Sequence, residues 1–212
     1  MAEDIVKSKI TTPKGELRYV QVSGLGKLDY DGKFYEYNAS IVLNKKDAKK
    51  LYGEICEFFE EEKPIWFRGK EPTNKIKRET EEGDFIFHFK TKTEFEDDKG
   101  NVRHTKIGII NFKNKAVNLP SDEAIGNGSI GRISGTMTIF SDKRGGSAGV
   151  SLWLNNIQLL KYVKYVPDTG FDEEDEGDEL DFDNTPDAEG AKDFNEPKKK
   201  KKKKKKKIKD VE

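Results

Sequence analysis

Aromatic and basic residues recur side by side along much of this chain. Arg18 stands beside Tyr19, Lys33 beside Phe34 and Tyr35, and Trp66 two positions before Arg68. Lys75, Lys77 and Arg78 follow, then His88, Lys90 and Lys92, with Arg132 and Trp153 later in the chain. Flat rings stack on unpaired bases at about 1–3 kcal/mol each while Lys and Arg track phosphates, so this pairing of residue types suits single-stranded nucleic acid. Discrimination among bases would be weak, because every base offers a π-face. Strands are ordinarily rich in Tyr and Phe, so any one of these rings also has a purely structural explanation. The series carries more weight than its members.

Other chemistry is poorly provided for. His88 and His104 fall on neighbouring expected strands, placed to face one another. With one cysteine in the chain and no associated carboxylate motif, they read as surface residues near bound phosphate rather than metal ligands. Asp97 and Asp98 sit in a turn, and no nucleophile has a credible base, so neither an enzyme nor a cofactor or metal is expected. The glycine series of residues 125–132 lacks the Lys-Ser or Lys-Thr of a phosphate loop and runs into a strand pattern. A tight turn with positive φ is expected there. Cys56 lies among apolar residues of an expected helix and reads as a small buried hydrophobe, which fits a reducing compartment, the cytoplasm.

The elements that must hold these side chains are mostly strands. Residues 84–95 alternate, putting Phe85, Phe87, Phe89 and Phe95 on one face and His88, Lys90 and Lys92 on the other. After the acidic turn at 96–101, residues 102–112 read as a second strand pairing with the first as a hairpin. Ile133, Met137 and Ile139 define another strand. Beyond the turn at 142–146 it pairs with one that points Val150, Leu152 and Leu154 inward and Ser151 and Trp153 outward. Residues 16–23 and 33–43 are also extended. Residues 44–62 are the one convincing helix, with Asn44 as cap, Asp47 in the first turn, and Ala48, Leu51, Ile55, Phe58 and Phe59 at helical spacing. Pro64 ends it. Residues 70–82 read as a long polar connector that either closes over a bound strand or is a solvated loop, long loops in compact domains being more often functional. The inventory predicts a mainly β protein: an OB-fold-like, five-stranded Greek-key barrel with one helix. Periodicity alone leaves another small barrel or a sandwich open.

Charge divides the 212 residues further. Residues 1–166 hold 28 Lys and Arg against 24 acids, residues 167–197 hold fourteen acids against Lys192 alone, and residues 198–212 hold eleven Lys against two acids. The expected organisation is a flexible N-terminus over 1–10, a folded domain over 11–166, a disordered acidic tail over 167–197 and a Lys-rich extension over 198–212. No apolar stretch approaches a membrane span, so no membrane partner is expected. The tail, about 30 residues long, spans roughly 30 Å, enough to reach a groove on the body and compete there with a polyanion. The run at 198–207 either pairs with those acids or binds phosphates itself, and also fits a nuclear-localisation-like address.

Three segments resemble the bacteriophage single-stranded DNA-binding proteins: Asp31-Gly32-Lys33-Phe34-Tyr35 running to residues 39–43 and Lys46-Asp47, the turn at 125–129, and the close from Val150-Ser151-Leu152 to Ile157-Gln158. The resemblance spans most of residues 11–165. It implies an OB-fold that coats unwound DNA during replication, recombination and repair, in the cytoplasm of an infected host. It also implies an acidic tail that competes with DNA and contacts replication proteins such as DNA polymerase, helicase-primase or recombination proteins. The tail residues it points to are Phe171, Asp172, Glu173, Glu174, Asp175, Phe182, Asp193 and Phe194. Asp193-Phe194 resembles the family's tail ending, but here eleven lysines follow. Whether the chain forms a homodimer stays open. The competing expectation is an acidic-tailed chaperone of histones or other basic proteins.

Overall fold

The computed structural model describes residues 6–97, 99–119 and 124–167. Its strands are β1 (Lys7–Thr11), β2 (Gly15–Gln21), β3 (Lys27–Leu28), β4 (Tyr35–Leu43), β5 (Lys77–Glu79), β6 (Phe85–Lys92), β7 (Glu94–Glu96), β8 (Val102–His104), β9 (Gly108–Ile110), β10 (Ser129–Asp142) and β11 (Ser147–Lys161). One helix, α1 (Lys45–Glu62), lies between β4 and β5. The strands β2, β4, β6, β11 and β10 each pair with the next, and β10 pairs back with β2, closing a five-stranded ring. All of these contacts are antiparallel except β6 with β11, which run parallel and meet at a single register position, Lys90 opposite Trp153. This is the OB-fold-like barrel expected from the sequence. β1, β3, β5 and β9 extend it at the edges, and β7 pairs with β8 as a separate two-stranded arm.

Alternation fills the barrel. Leu17 from β2, Ala39, Ile41 and Leu43 from β4, Phe87 and Phe89 from β6, Ile133 and Met137 from β10, and Val150, Leu152, Leu154 and Ile157 from β11 are buried in one core. The helix adds Ala48, Leu51, Ile55, Phe58 and Phe59, the residues its 3.6-residue period predicts. Asn44 caps it, its Oδ1 accepting from the Asp47 amide at 3.0 Å. β10 is bent by an irregularity at Ser134/Gly135. A Cβ on Gly135 would sit 2.9 Å from the Phe89 ring, so glycine is what lets β10 cross that close to β6.

Several expectations are corrected. Residues 7–10, assigned to a flexible N-terminus, form β1 together with Thr11 on the edge of β10, with Ile10 buried; five residues with one apolar anchor gave too little pattern to read. The strand expected over 84–95 breaks at Thr93, so Phe95 leaves the face of Phe85, Phe87 and Phe89 and is 53% exposed. The hairpin expected from 102–112 keeps only the short β7–β8 pairing. Residues 108–110 instead run parallel beside β11.

The connector at 70–82 is not free. Thr73 donates from its backbone and hydroxyl to the Ala148 carbonyl, both at 2.9 Å. The Asn74 side chain donates to the Val150 carbonyl at 2.8 Å and accepts from its amide at 3.2 Å. Because β6 and β11 touch at only one position, the backbone of β11 beyond it needs these partners. Ile76 is buried beneath, and β5 continues the segment along β6. Cys56 is only half-buried, and its thiol is pushed up by burial. His88 and His104 do not face one another: His88 Nδ1 lies 2.9 Å from Ser40 Oγ, and His104 Nδ1 lies 3.2 Å from Glu94. Among the described residues no group of His, Cys, Asp or Glu could hold a metal ion, and no helix is long and apolar enough to cross a membrane. The tail residues Phe171, Asp172, Glu173, Glu174, Asp175, Phe182, Asp193 and Phe194, the lysine run, and Asp98 lie outside the described residues.

Candidate nucleic-acid interface

Strand register assembles the outer face of the barrel. Residues opposite one another across a ladder share a face. Gln21 on β2, Asn38 on β4, Lys90 on β6, Trp153 on β11, Thr136 on β10 and Lys9 on β1 therefore fall in one row across the sheet, with Asn38 itself buried and the β2–β4 register shifted before Gln21. A neighbouring row runs Arg18, Ser40, His88, in which Ser40 is buried between the half-buried Arg18 and the exposed His88. Trp153 is fixed rather than loose: its indole Nε1 donates to Thr138 Oγ1 at 2.7 Å, and Asn155 Nδ2 donates to Thr136 Oγ1 at 2.8 Å just beyond. A ring held at its edge by a hydrogen bond keeps a face for stacking at little ordering cost.

Beside Trp153 lies an open groove of about 620 Å³, lined by Thr91, Lys92, Phe95, Thr105, Lys106, Trp153, Leu154, Asn155 and Asn156. It forms where β6 ends and the β7–β8 arm swings away, leaving β11 uncovered between them. Two aromatic rings, two lysines and two amides thus converge on one concavity. Lys92 also reaches the other way, its Nζ 3.7 Å above the Phe34 ring. That contact ties the 29–36 turn to the groove. The Asp29 carboxylate shapes the turn by accepting from the amides of Lys33 at 2.7 Å and Phe34 at 3.2 Å, which leaves Tyr30, Phe34 and Tyr35 exposed.

Charges on the face are unevenly free. Lys90 Nζ sits 3.0 Å from both Glu36 oxygens, and Arg18 Nε 2.7 Å from Glu16. The Glu16 contact, chiefly its hydrogen bond, pushes the guanidinium pKa up. The His88 imidazole is held below its ordinary value, first by desolvation against the sheet and then by Lys90, so it is neutral at pH 7.

The sequence-predicted residues therefore divide. Trp153, Lys90, Lys92, Tyr35 and Lys33 fall around the groove and the turn beside it, and His88, Arg18 and the exposed Arg78 lie on the same outer surface. Tyr19 is exposed beside Arg18 with a left-handed φ of 53°, its amide bonded to Asn127 Oδ1 at 2.9 Å. Asn127 belongs to the expected glycine turn, in which Gly128 has φ 87°. Arg132 is exposed further along β10, opposite Gln158. Trp66, Arg68, Lys75 and Lys77 are not brought to the groove. Trp66 packs edge-on against Phe67, ring centroids 5.8 Å apart, at the end of α1, and Lys77 Nζ lies 3.7 Å over the Tyr52 ring. Phe95 and Lys106, which the sequence did not single out for binding, also line the groove.

No protein-family model and no curated protein matches the chain. Solved structures do. The gp2.5 single-stranded DNA-binding protein encoded by bacteriophage T7 superposes with a TM-score of 0.58 at 19% identity, covering 83% of this chain and all of that one. The single-stranded DNA-binding protein of bacteriophage Enc34 superposes with a TM-score of 0.50, both as a C-terminal truncation (12% identity) and in complex with single-stranded DNA (14% identity). Each covers 76% of this chain and 97% of that one. At these identities the likeness is one of fold: the chain has the fold of bacteriophage single-stranded DNA-binding proteins.

Proposed function

We propose that this protein binds single-stranded DNA without strong sequence preference, across the outer face of the barrel and into the Trp153 groove, and is not an enzyme. The observation that carries the reading is the convergence of Trp153, Phe95, Lys92 and Lys106 on one open groove. Rings for bases beside cations for phosphates are what sequence-tolerant binding requires. The fold shared with proteins named for single-stranded DNA binding supports it.

In this reading the chain coats unwound DNA during phage replication, recombination and repair, in the cytoplasm of the infected cell. The acidic segment at 167–197 imitates DNA electrostatically, competing for the face and offering a contact to replication proteins. The test is a titration of the chain with oligo-dT, single-stranded RNA and duplex DNA at two salt concentrations. Saturable binding to oligo-dT that weakens with salt supports the proposal. Failure to bind any single strand, together with capture of cationic proteins by the acidic segment, would replace it with the chaperone reading.

A further inference from the structure

We propose that Lys7 and Lys9 of β1 form a phosphate rail that carries the single-stranded DNA path beyond Trp153 to a sixth strand. The inference rests on the function proposed above and goes beyond it in naming where the bound strand leaves the groove. Lys9 stands opposite Thr136, which stands opposite Trp153, so all three share the outer face. Two strand spacings put the backbone of Lys9 about 10 Å from that of Trp153. Lys7, opposite Thr138, continues the line at about 7 Å per two residues.

Among the described residues neither lysine makes an ion pair, whereas Lys90 and Arg18 on the same face are held by Glu36 and Glu16. Both lysines are exposed while Ile10 between β1 and the core is buried, so the strand is anchored by its apolar side and offers its cations outward. A polyanion leaving the Trp153 groove toward β10 passes the half-buried Thr136, whose hydroxyl holds Asn155, and then meets these two free charges; Thr138, which holds the Trp153 indole, is buried. Lysines on an edge strand also guard against edge-to-edge pairing, a role that needs no ligand.

The experiment compares the salt dependence of oligo-dT binding for the full chain and three variants: K7Q/K9Q, K7R/K9R and the charge-matched control K49Q/K50Q on the exposed side of α1. Each phosphate neutralised on a single strand contributes about 0.7 to the slope of log K against log salt, so K7Q/K9Q should flatten it by about 1.4. Between 50 and 200 mM salt the wild-type chain would then lose about sevenfold more affinity than the variant. K7R/K9R and K49Q/K50Q should keep the wild-type slope. An unchanged slope in K7Q/K9Q, an equal change in the α1 control, or self-association of K7Q/K9Q with its slope intact would overturn the rail. Absence of oligo-dT binding by the wild-type chain would instead overturn the function on which it rests.

Discussion

Trp153 and Lys90 face each other at the one position where β11 runs beside β6, so the contact that closes the barrel also sets a flat ring next to a cation on its outer surface. Closure and ligand chemistry share a pair. The ring is pinned through Nε1 to Thr138, and the cation is occupied by Glu36, which divides their roles: Trp153 is ready to stack, whereas Lys90 must first be released.

The two tryptophans should therefore separate on substitution. Trp153→Ala removes a stacking platform and should weaken oligo-dT binding by the folded protein by about 1–3 kcal/mol, and, because the indole is half-buried and bonded to Thr138, it should lower the thermal midpoint as well. Trp66→Ala removes packing against Phe67 and should lower the midpoint while leaving the affinity of the folded protein near wild type. Anisotropy titrations and thermal melts of both variants check this, and the reverse pattern would move the site to the end of α1.

Glu36 should act as a built-in competitor. Glu36→Gln frees Lys90, so affinity for oligo-dT should rise by about 0.2–1 kcal/mol, the usual range for an exposed pair, with stability little altered. The gain should fade as salt screens both forms. Binding at low and high salt reads it directly.

His88 gives a pH signature. Its folded pKa is depressed by desolvation and then by Lys90, so below the unfolded-state value, near 6.5, the unfolded chain binds the proton more readily. Stability should fall as pH drops through that value and level off once pH is below the folded pKa. His88→Gln removes this component, so the urea midpoints of variant and wild type should draw apart between pH 7.5 and 5.5, with wild type losing more.

Tail charge should tune binding without touching the barrel. A chain cut after Val166 should bind oligo-dT more tightly than one ending at Pro197, which keeps fourteen acids and lacks the lysine run, with the gap closing at high salt. Equal affinities at low salt would count against competition by the acidic segment.

Much of the barrel was legible because period-two alternation marks the strands that face the core. Phe87 and Phe89, then Val150, Leu152 and Leu154, and the face of α1 are buried as the pattern predicts. The site was legible only in part, for reasons that are local. Phe95 continues the Phe85–Phe89 alternation in sequence, and only the break at Thr93 turns it into the groove. Trp66 and Arg68 have the right residue types, but spacing along a chain does not say that the end of α1 absorbs the ring. Lys7 and Lys9 gain meaning from the register of β1 on β10, a pairing more than a hundred residues apart in sequence. The unpaired stretch of β11 beside Asn74 likewise explains why a polar connector that reads as a closing segment or a solvated loop is a fixed brace.

Whether bases stack on the barrel face can be read from the emission of Trp153 itself. The chain has two tryptophans, so Trp66→Phe leaves Trp153 as the sole indole reporter. Titration of that full-length variant with oligo-dT should give saturable quenching of Trp153 fluorescence that tracks binding followed independently by anisotropy of labelled DNA. Binding with unaltered Trp153 emission, or no binding at all, would contradict stacking there.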